Sequence, residues 1–462
     1  MTSAALPRAG GNETVVVRAG DRCTPMEKLI VGLLFLYWLT YEHLAFFSAA
    51  DLGGLAFLAI TNLIKLGLPF LLLAYAGVPP RRTFARGAPA FYLICFATFL
   101  LWAAVPTIVS GDPITWVKLL PRFVYFVAAL SLFTRRPATF VLFGKVMIVY
   151  VLSALVQYIL LYLTGAYTSP IEWPNSRMAG PYASLGNITS MAYFPGIPVP
   201  VLRLTGYWNE PSHASACAFA GFFLGRYFVN IGESRIWRYA STTCLIAGIL
   251  ALSNAGYLAL GSALVVGVFL DSGKLIGWRA IRTALVLPIG IGAIALVLLG
   301  RKYVAENLPD NGFARAITGV RSVEGSSADP TDGRLDLILS ASRDVGKTVI
   351  GVGVQPVGDK GIQASASAPV YWLLFTGIPG ILLLLAREGI VLFHGRKIAR
   401  RDPIARPLVQ AFVVVLAQHA SYGDWMNANY FILAAAVLSY GLPSASSATE
   451  QTVRTAPDAH PV

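Results

Sequence analysis

The chain has 462 residues, and 56% of them are hydrophobic while only 13% are charged, which is about half the charged fraction of an average soluble domain. Lys and Arg give a net charge of +13, but no basic run or RNA-binding motif accompanies this excess, so no nucleic-acid partner is expected. Apolar runs of roughly the 20 residues that a helix needs to cross a bilayer recur throughout the chain. The composition therefore predicts an all-α, polytopic transmembrane helical bundle.

About twelve transmembrane helices are predicted in chain order, between a polar tail at residues 1–28 and a second one at residues 443–462. Both tails are predicted to be disordered because they carry too few apolar residues to form a core. The first apolar run starts near Leu29 and has no small-residue cleavage site, so it is predicted to be an uncleaved anchor. The predicted spans are 29–49, 52–78, 88–109, 117–133, 139–163, 211–231, 237–254, 256–270, 281–300, 367–385, 405–422 and 427–442.

Basic residues between the spans fix the predicted orientation. They gather in alternate connections, which the positive-inside rule places in the cytoplasm together with both termini. Only Lys118 and Arg122 lie beside the short connections of the opposite side. The cytoplasmic set includes Arg81, Arg82, Arg86, Arg135, Arg136, Arg226, Arg235, Arg238, Arg387, Arg396, Lys397, Arg400 and Arg401. Two long connections, about residues 164–210 and 301–366, are then predicted to lie outside.

The first long connection leads into the segment Arg203–Ser215, RLTGYWNEPSHAS. Its Asn-Glu-Pro-Ser sequence is a good helix start, because Asn can cap and Pro is tolerated in the first turn. One interpretation is purely structural, with a carboxylate complementing the helix dipole and aromatic residues lying at the membrane interface. The other is a site for an anionic substrate, because polar clusters in membranes are usually functional and a helix N-terminus offers N–H groups to a phosphate. The candidate residues are Arg203, Tyr207, Trp208, Glu210 and His213.

The second long connection carries another arginine-bearing segment. Residues 332–345 predict a helix on which Arg334 lies in line with apolar residues, so its charge needs a partner. This partner is either an acidic residue of the protein or a substrate phosphate, two oxygens of which the planar guanidinium can bind at once. Arg343 lies on the polar stripe of the same helix. The sequence Gly351-Val-Gly-Val that follows predicts a tight turn and is not a nucleotide loop.

Within the spans, Lys65 is unusual because a lysine at this depth normally faces a bundle interior or a cavity. It either pairs with Glu42 or helps to hold a lipid pyrophosphate. His43, His419 and Asp424 lie near outer helix ends and are interpreted as wall residues of a site. The four cysteines suit neither an extracellular disulfide nor a metal site, and no metal or nucleotide motif occurs, so no cofactor and no metal are expected.

Two of these segments resemble the O-antigen polymerase and O-antigen ligase superfamily, whose members are multi-span glycosyltransferases of the bacterial inner membrane with large periplasmic loops. GYWNEPSHAS looks like the NEPS segment common in exopolysaccharide and O-antigen polymerases. The run from Arg334 through Gly351-Val-Gly-Val to Gly377-Ile-Pro-Gly380 is similar to the family's arginine, Gly-x-Gly and Gly-x-x-Gly signature. Where the ligase pattern has a histidine this chain has Ala366, which favours the polymerase branch.

The resemblance implies a metal-independent polysaccharide polymerase. Such an enzyme transfers glycan from undecaprenyl pyrophosphate onto a lipid-linked repeat unit at the periplasmic face during exopolysaccharide or O-antigen biosynthesis. Membrane lipids, a chain-length regulator and export proteins are the implied partners. The leaving pyrophosphate would be stabilised by preorganised cationic side chains. The residues implied for this role are Arg203 and Arg334, assisted by Lys65 or Arg343.

The residues leave several alternatives open. A ligase-type transferase would move finished glycan to another acceptor. A flippase or transporter of lipid-linked sugars would predict repeated halves and several intramembrane charges, whereas no repeat is found and Lys65 is the main such charge. A scaffold protein would not need arginines in both outer loops. For a transferase, the proton acceptor is either Glu210, which is the leading candidate, or His213.

Overall fold

A computed structural model of the chain describes residues 23–42, 55–77, 87–164, 191–192, 201–202, 204, 208, 211–271, 349–354, 368–421 and 426–442. This part of the chain is almost entirely helical, which confirms the predicted helical class. The exception within it is an antiparallel pair of two-residue strands, β1 (Met191–Ala192) and β2 (Val201–Leu202).

The helices of the described residues are labelled α1 to α12 in chain order. They are Pro25–Glu42, Leu55–Ala76, Ala88–Ser110, Pro113–Val117, Leu119–Arg135, Pro137–Thr164, Pro211–Asn230, Ile236–Leu250, Asn254–Asp271, Ala368–Arg401, Arg406–Ser421 and Ala428–Ser439. A 3-10 turn at Pro403–Ala405 joins α10 to α11. Each predicted span that falls within the described residues overlaps a helix, and the span predicted at 281–300 lies outside them.

Capping side chains set two of the helix starts. At α1 the Thr24 hydroxyl accepts from the Glu27 N–H at 3.2 Å and the Glu27 carboxylate accepts from the Thr24 N–H at 2.7 Å, which is a reciprocal capping box. At α4 the Asp112 carboxylate accepts from the N–H groups of Ile114 and Thr115 and from the Thr115 hydroxyl. The hydroxyl bond is the main reason why the pKa of Asp112 lies below its ordinary value.

Helix α7 lies inside the bundle. Fifteen of its twenty residues are buried, and α6, α8, α9 and α11 pack around it. Small residues allow the close approach of α8, because a Cβ on Gly225 would meet the Trp237 carbonyl at 2.8 Å and one on Gly221 would meet the Cys244 sulfur at 3.1 Å. Such contacts are typical of helices packed in membranes. The helix that begins directly after the Asn-Glu dipeptide is thus held by four neighbours.

Several helices are suited to a bilayer. In the part of the chain that the structure describes, four helical stretches are long and apolar enough to cross a membrane, namely Ala88–Val109, Pro113–Arg135, Pro137–Leu160 and Ala368–Arg401. Shorter apolar helices occur at Asn62–Ala76, Ala255–Leu270 and Ala428–Ser439. The outward faces are apolar too: on α3, Leu101, Ile108 and Val109 are 70–82% exposed. Large exposed apolar surface of this kind indicates contact with lipid or protein, which supports the expectation of a membrane protein.

Helix α10 corrects one sequence-based assignment. The prediction ended the span at residue 385 and placed Arg387 in a cytoplasmic connection, but the helix runs on to Arg401. Arg387 is 0% exposed within it, so its assignment to a connection is wrong. The physical reason is the adjacent Glu388, which pairs with the guanidinium at 2.5 Å. Hydropathy counts both side chains as polar, whereas in the bundle they neutralise each other and the helix continues.

Candidate functional site

Contacts between helix termini define one end of the bundle, called here the histidine end. It contains the starts of α5, α7 and α12 and the end of α11. The Arg122 guanidinium of α5 donates to the Met426 carbonyl, just ahead of α12, at 3.3 Å. The ring centroid of His213 in α7 lies 5.8 Å from that of His419 in α11. A predicted substrate-binding residue and a predicted wall residue are therefore direct neighbours.

Asn429, at the start of α12, holds His419 in one orientation. The His419 Nε2 and the Asn429 Oδ1 are 2.9 Å apart, and both residues are buried. The same Oδ1 accepts from the backbone N–H of Tyr430 at 2.6 Å, which assigns the oxygen of the amide to this position. Since this oxygen only accepts, Nε2 of His419 donates, and the neutral ring carries its lone pair on Nδ1. Asn429 thus sets the tautomer of His419.

The two histidines differ in their access to the surface. His213, the third residue of α7, is half-buried, whereas His419 is 0% exposed. Their rings meet edge to face at an interplanar angle of 70°. His213 therefore lies nearer the surface than the buried pair of His419 and Asn429. A partly exposed imidazole backed by a buried, oriented one suits the acceptance of a proton from a substrate.

Two buried contacts tether the segment that leads into α7. Leu204 is 1% exposed and its N–H donates to the Leu250 carbonyl at the end of α8, at 3.0 Å. Trp208 is also 1% exposed, and its ring centroid lies 5.1 Å from that of Tyr150. Tyr150 in turn contacts Trp38 at 5.6 Å. Trp208 therefore anchors the chain ahead of the Asn-Glu-Pro sequence in an aromatic cluster between α1 and α6, and its predicted contact with substrate stays a prediction.

A second feature is the glycine strap, defined as residues 349–354. The strap lies along a break in α10, where Gly377 adopts φ 69° and ψ −171°. The N–H groups of Val352 and Gly353 donate to the carbonyls of Leu374 and Phe375 at 2.9 and 3.0 Å. The sequence was predicted to form a tight turn at Gly351-Val-Gly-Val. Instead, the chain turns at residues 349–350, and residues 351–354 then run along the helix without regular secondary structure.

The sequence of α10 explains why this helix needs the strap. In an unbroken helix, the carbonyls of Leu374 and Phe375 would accept from the N–H groups four residues later. Pro379 has no N–H, and the N–H of Ile378 donates instead to the Val349 carbonyl at 3.3 Å. The strap supplies both missing donors. The next carbonyl along the chain, that of Thr376, accepts from the Trp102 indole N–H of α3 at 2.7 Å. Non-helical backbone at membrane depth requires such partners.

The strap also fixes the end of α3. The Val354 N–H donates to the Thr107 hydroxyl at 3.0 Å, and the Val354 carbonyl accepts from the Asp112 N–H at 2.7 Å. Two strap glycines have positive φ, 89° at Gly351 and 77° at Gly353. A Cβ at Gly353 would meet the carbonyl of Pro106 at 2.6 Å. Both the conformation and the lack of space therefore require glycine in the Gly-x-Gly sequence.

A buried ion pair joins α10 to α3 and α12. Arg387 donates to Glu388 Oε1 through Nε at 2.9 Å and Nη2 at 2.5 Å, and the Tyr430 hydroxyl donates to Glu388 Oε2. Nη1 of Arg387 also contacts the Met426 sulfur at 3.5 Å. Four rings surround the guanidinium carbon at centroid distances of 4.8–5.9 Å, those of Tyr92, Phe96, Tyr430 and Phe431. Sequence reasoning missed this cluster, although an Arg-Glu dipeptide inside an apolar helix pattern could have indicated it.

The opposite end of the bundle is basic. Arg135 ends α5 on the side away from Arg122 and Arg136 follows it, while Arg400 and Arg401 end α10. Ion pairs occur here too: Lys145 lies 2.9 Å from Glu233, and Arg136 lies 3.2 Å from Glu27. The Tyr440 hydroxyl donates to Asp402 at 2.6 Å.

The structure describes three of the predicted site residues. His213 and Trp208 have the positions given above, and Lys65 is half-buried in the middle of α2. The remaining candidates lie outside the described residues, and their roles stay predictions; they are Arg203, Tyr207, Glu210, Arg334 and Arg343. The wall residues His43 and Asp424 lie outside them as well.

The described part of the chain is helical, with long apolar helices that are consistent with a membrane protein. It has a polar, histidine-bearing end and a basic opposite end. Within the described ranges, no three His, Cys, Asp or Glu side chains lie together as a metal site would need. No protein-family model, curated protein or solved structure matches the chain.

Proposed function

We propose that the chain is a polysaccharide polymerase of the bacterial inner membrane, related to the O-antigen polymerases and ligases that its motifs resemble. It transfers a growing glycan from undecaprenyl pyrophosphate onto a lipid-linked repeat unit during exopolysaccharide or O-antigen biosynthesis. In this proposal the chain crosses the membrane about twelve times. Both termini are cytoplasmic, and the two long connections lie in the periplasm.

One observation carries this proposal: the two motif-bearing segments are anchored at the same end of the bundle. The Asn-Glu-Pro-Ser-His segment opens α7 at the histidine end. The glycine strap binds Thr107 and Asp112 between α3 and α4, and α5, which follows directly, brings Arg122 to Met426 at the histidine end. Two segments far apart in the sequence thus lie at one end of the bundle, which supports the proposal that they serve one site.

The distribution of charge supports the orientation. Arginines lie at the ends of α5 and α10 at the pole opposite to the histidine end. By the positive-inside rule that basic pole is cytoplasmic, so the histidine end lies at the periplasmic face. Lipid-linked sugars would reach it from the outer leaflet.

In the reaction, a hydroxyl of the acceptor sugar attacks the anomeric carbon of the donor. The new C–O bond forms as the bond to the lipid pyrophosphate breaks, and the pyrophosphate leaves with the electron pair. The protein must therefore stabilise negative charge on the leaving group and accept the hydroxyl proton. Arg203 and Arg334 are proposed for the first task, with Lys65 or Arg343 assisting.

The deciding experiment is an analysis of the lipid-linked glycan pool in a strain that lacks the gene, by extraction and mass spectrometry. Single repeat units on undecaprenyl pyrophosphate at the periplasmic face, without polymer, are expected. Long polymer accumulating on the lipid would indicate a ligase instead. Single units confined to the cytoplasmic face would indicate a flippase, and the proposed catalytic roles would be withdrawn.

Complementation of that strain tests the leaving-group role. Arg334→Ala is expected to abolish polymer at normal protein level, because the pyrophosphate loses a bidentate partner. Arg238→Ala is the matched control, since Arg238 is an exposed arginine at the basic end. Full polymer length and yield with Arg334→Ala would refute the assignment.

A further inference from the structure

We infer that His213 accepts the proton of the acceptor hydroxyl, and that His419, oriented by Asn429, is the positioning residue that supports it. This inference rests on the proposed function and deepens it. It assigns the open role of the general base, and it adds two residues to the site that no motif contains. The acceptor it implies is a sugar hydroxyl presented at the histidine end.

The placement of His213 supports the choice. It lies at the start of α7, where helix N–H groups and the Asn-Glu-Pro-Ser-His segment meet, and it is half-buried rather than enclosed. A general base must touch solvent or substrate on one side and be held on the other. The ring of His419, whose centroid lies 5.8 Å from that of His213, has no exposed surface and packs against His213 on its inner side.

The tautomer of His419 supports its positioning role. Because Nε2 donates to Asn429, the neutral ring of His419 is held in one tautomer and one orientation beside His213. When His213 gains a proton its ring becomes cationic and donates from both nitrogens. A neutral imidazole held edge to face against this ring then keeps the cation in place. This is the logic of a base oriented by a second side chain, which is in turn oriented by a third.

A purely structural role accounts less well for these side chains. The α12 segment from Phe431 to Leu438 is buried and entirely apolar, and α7 is rich in Ala and Gly. Buried polar side chains cost free energy unless they are hydrogen-bonded. The bond between His419 and Asn429 offsets this cost, but replacing both partners of a buried hydrogen bond by apolar residues can be nearly neutral or stabilising. A histidine and an asparagine placed between α11 and α12 therefore point to a chemical task.

The step balances without a further reactant. The acceptor oxygen forms a bond to the anomeric carbon and loses its proton to His213. The bond from that carbon to the pyrophosphate oxygen breaks, and the lipid pyrophosphate leaves with the electron pair. His213 then releases the proton to water at the membrane face, which returns the site to its starting state.

The test uses the purified full-length protein in detergent and, as substrate, the lipid-linked repeat units extracted from the deletion strain. His213→Gly is expected to lower kcat roughly 10²–10⁴-fold with little change in KM, the usual contribution of a general base. Added imidazole is expected to restore part of the rate, because it can occupy the space of the missing ring. His213→Gln, of similar volume, is the second variant in case the glycine variant does not fold.

A double-mutant cycle tests His419. His419→Ala alone is expected to lower kcat at least tenfold, and adding it to His213→Gly is expected to lower kcat no further, because a positioning residue has nothing left to position. His419→Gln serves as a second variant should the alanine variant misfold. His394→Ala is the matched control, since this histidine lies towards the basic end of α10 and its loss is expected to leave kcat unchanged.

The outcomes distinguish a failure of the proposed function from a failure of the roles assigned to His213 and His419. If the unaltered protein makes no polymer from these repeat units, the proposed function fails and the inference fails with it. If it makes polymer, but His213→Gly and His213→Gln keep kcat, or imidazole restores nothing, the role of His213 is overturned. If the losses at His213 and His419 multiply, His419 acts independently and its positioning role is overturned.

Discussion

The buried ion pair between Arg387 and Glu388 predicts how much stability the protein loses when one of the two charges is removed. Glu388→Ala removes the carboxylate that receives two hydrogen bonds from Arg387 and one from Tyr430. The guanidinium of Arg387 then keeps its charge without a neighbouring anion. It remains enclosed by aromatic rings, because Arg387 is 0% exposed. Removing one partner of such a pair costs about 3–5 kcal/mol. The rings offset part of this cost through cation–π attraction, so the lower half of that range is expected.

A double variant distinguishes the cost of an unpaired charge from the cost of lost side-chain volume. Arg387→Met combined with Glu388→Leu removes both charges and keeps apolar volume, and replacements of this kind are often neutral or stabilising. It should therefore unfold at higher denaturant than Glu388→Ala. SDS-induced unfolding in mixed micelles, followed by tryptophan fluorescence, measures both.

Glu233→Ala is the matched control. Glu233 pairs with Lys145 at 2.9 Å, but both side chains are partly exposed, and such pairs contribute about 0–1 kcal/mol. Equal losses for Glu388→Ala and Glu233→Ala, or a double variant as unstable as the sum of its single variants, would refute the reasoning.

Three further predictions concern anchors and caps. Gly353→Ala should destabilise the protein by about 1–3 kcal/mol in a thermal scan, because φ is positive there and the added Cβ clashes with the Pro106 carbonyl. The control Gly389→Ala has open space around it and should be neutral or stabilising in the same scan. Trp208→Ala should cost about 3–5 kcal/mol; an unchanged melting temperature would contradict the anchoring role. The folded-state pKa of Asp112 is lowered, so its contribution is present above the ordinary carboxyl pKa and is lost as pH falls through the lowered value. The stability gap to Asp112→Asn should therefore close on acidification, and a gap that widens would contradict the cap.

Helix positions could be predicted from the sequence because each apolar run is long and the loops carry the charge. The end of α10 could not be predicted, because a hydropathy window counts Arg387 and Glu388 as two polar residues and takes no account of their pairing. The glycines at 351 and 353 indicated a backbone with positive φ, but a tight turn satisfies the same signal as an irregular strap. Pro379 could have indicated the strap, since its missing N–H leaves a helix carbonyl that needs a donor from outside the helix.

The candidate site was predictable only in part. His213 was identified because it follows a helix start in a polar segment. His419 could be placed only near an outer helix end, because its contact with His213 depends on the packing of α7 against α11. The tautomer depends on one further contact, with Asn429, that no spacing rule reveals. Sequence patterns report which residues are polar within a helix, whereas proximity between distant helices is set by packing.

The broken helix α10 also constrains how the chain is built. The three consecutive carbonyls at residues 374–376 accept from Val352, Gly353 and Trp102, and all three donors precede them in the sequence. During synthesis the chain emerges from its N-terminus, so the donors are already made when the break enters the membrane. A circular permutant that began at residue 368 would reverse this order and present bare carbonyls to lipid. The placement of the break late in the chain thus makes its insertion compatible with the direction of translation.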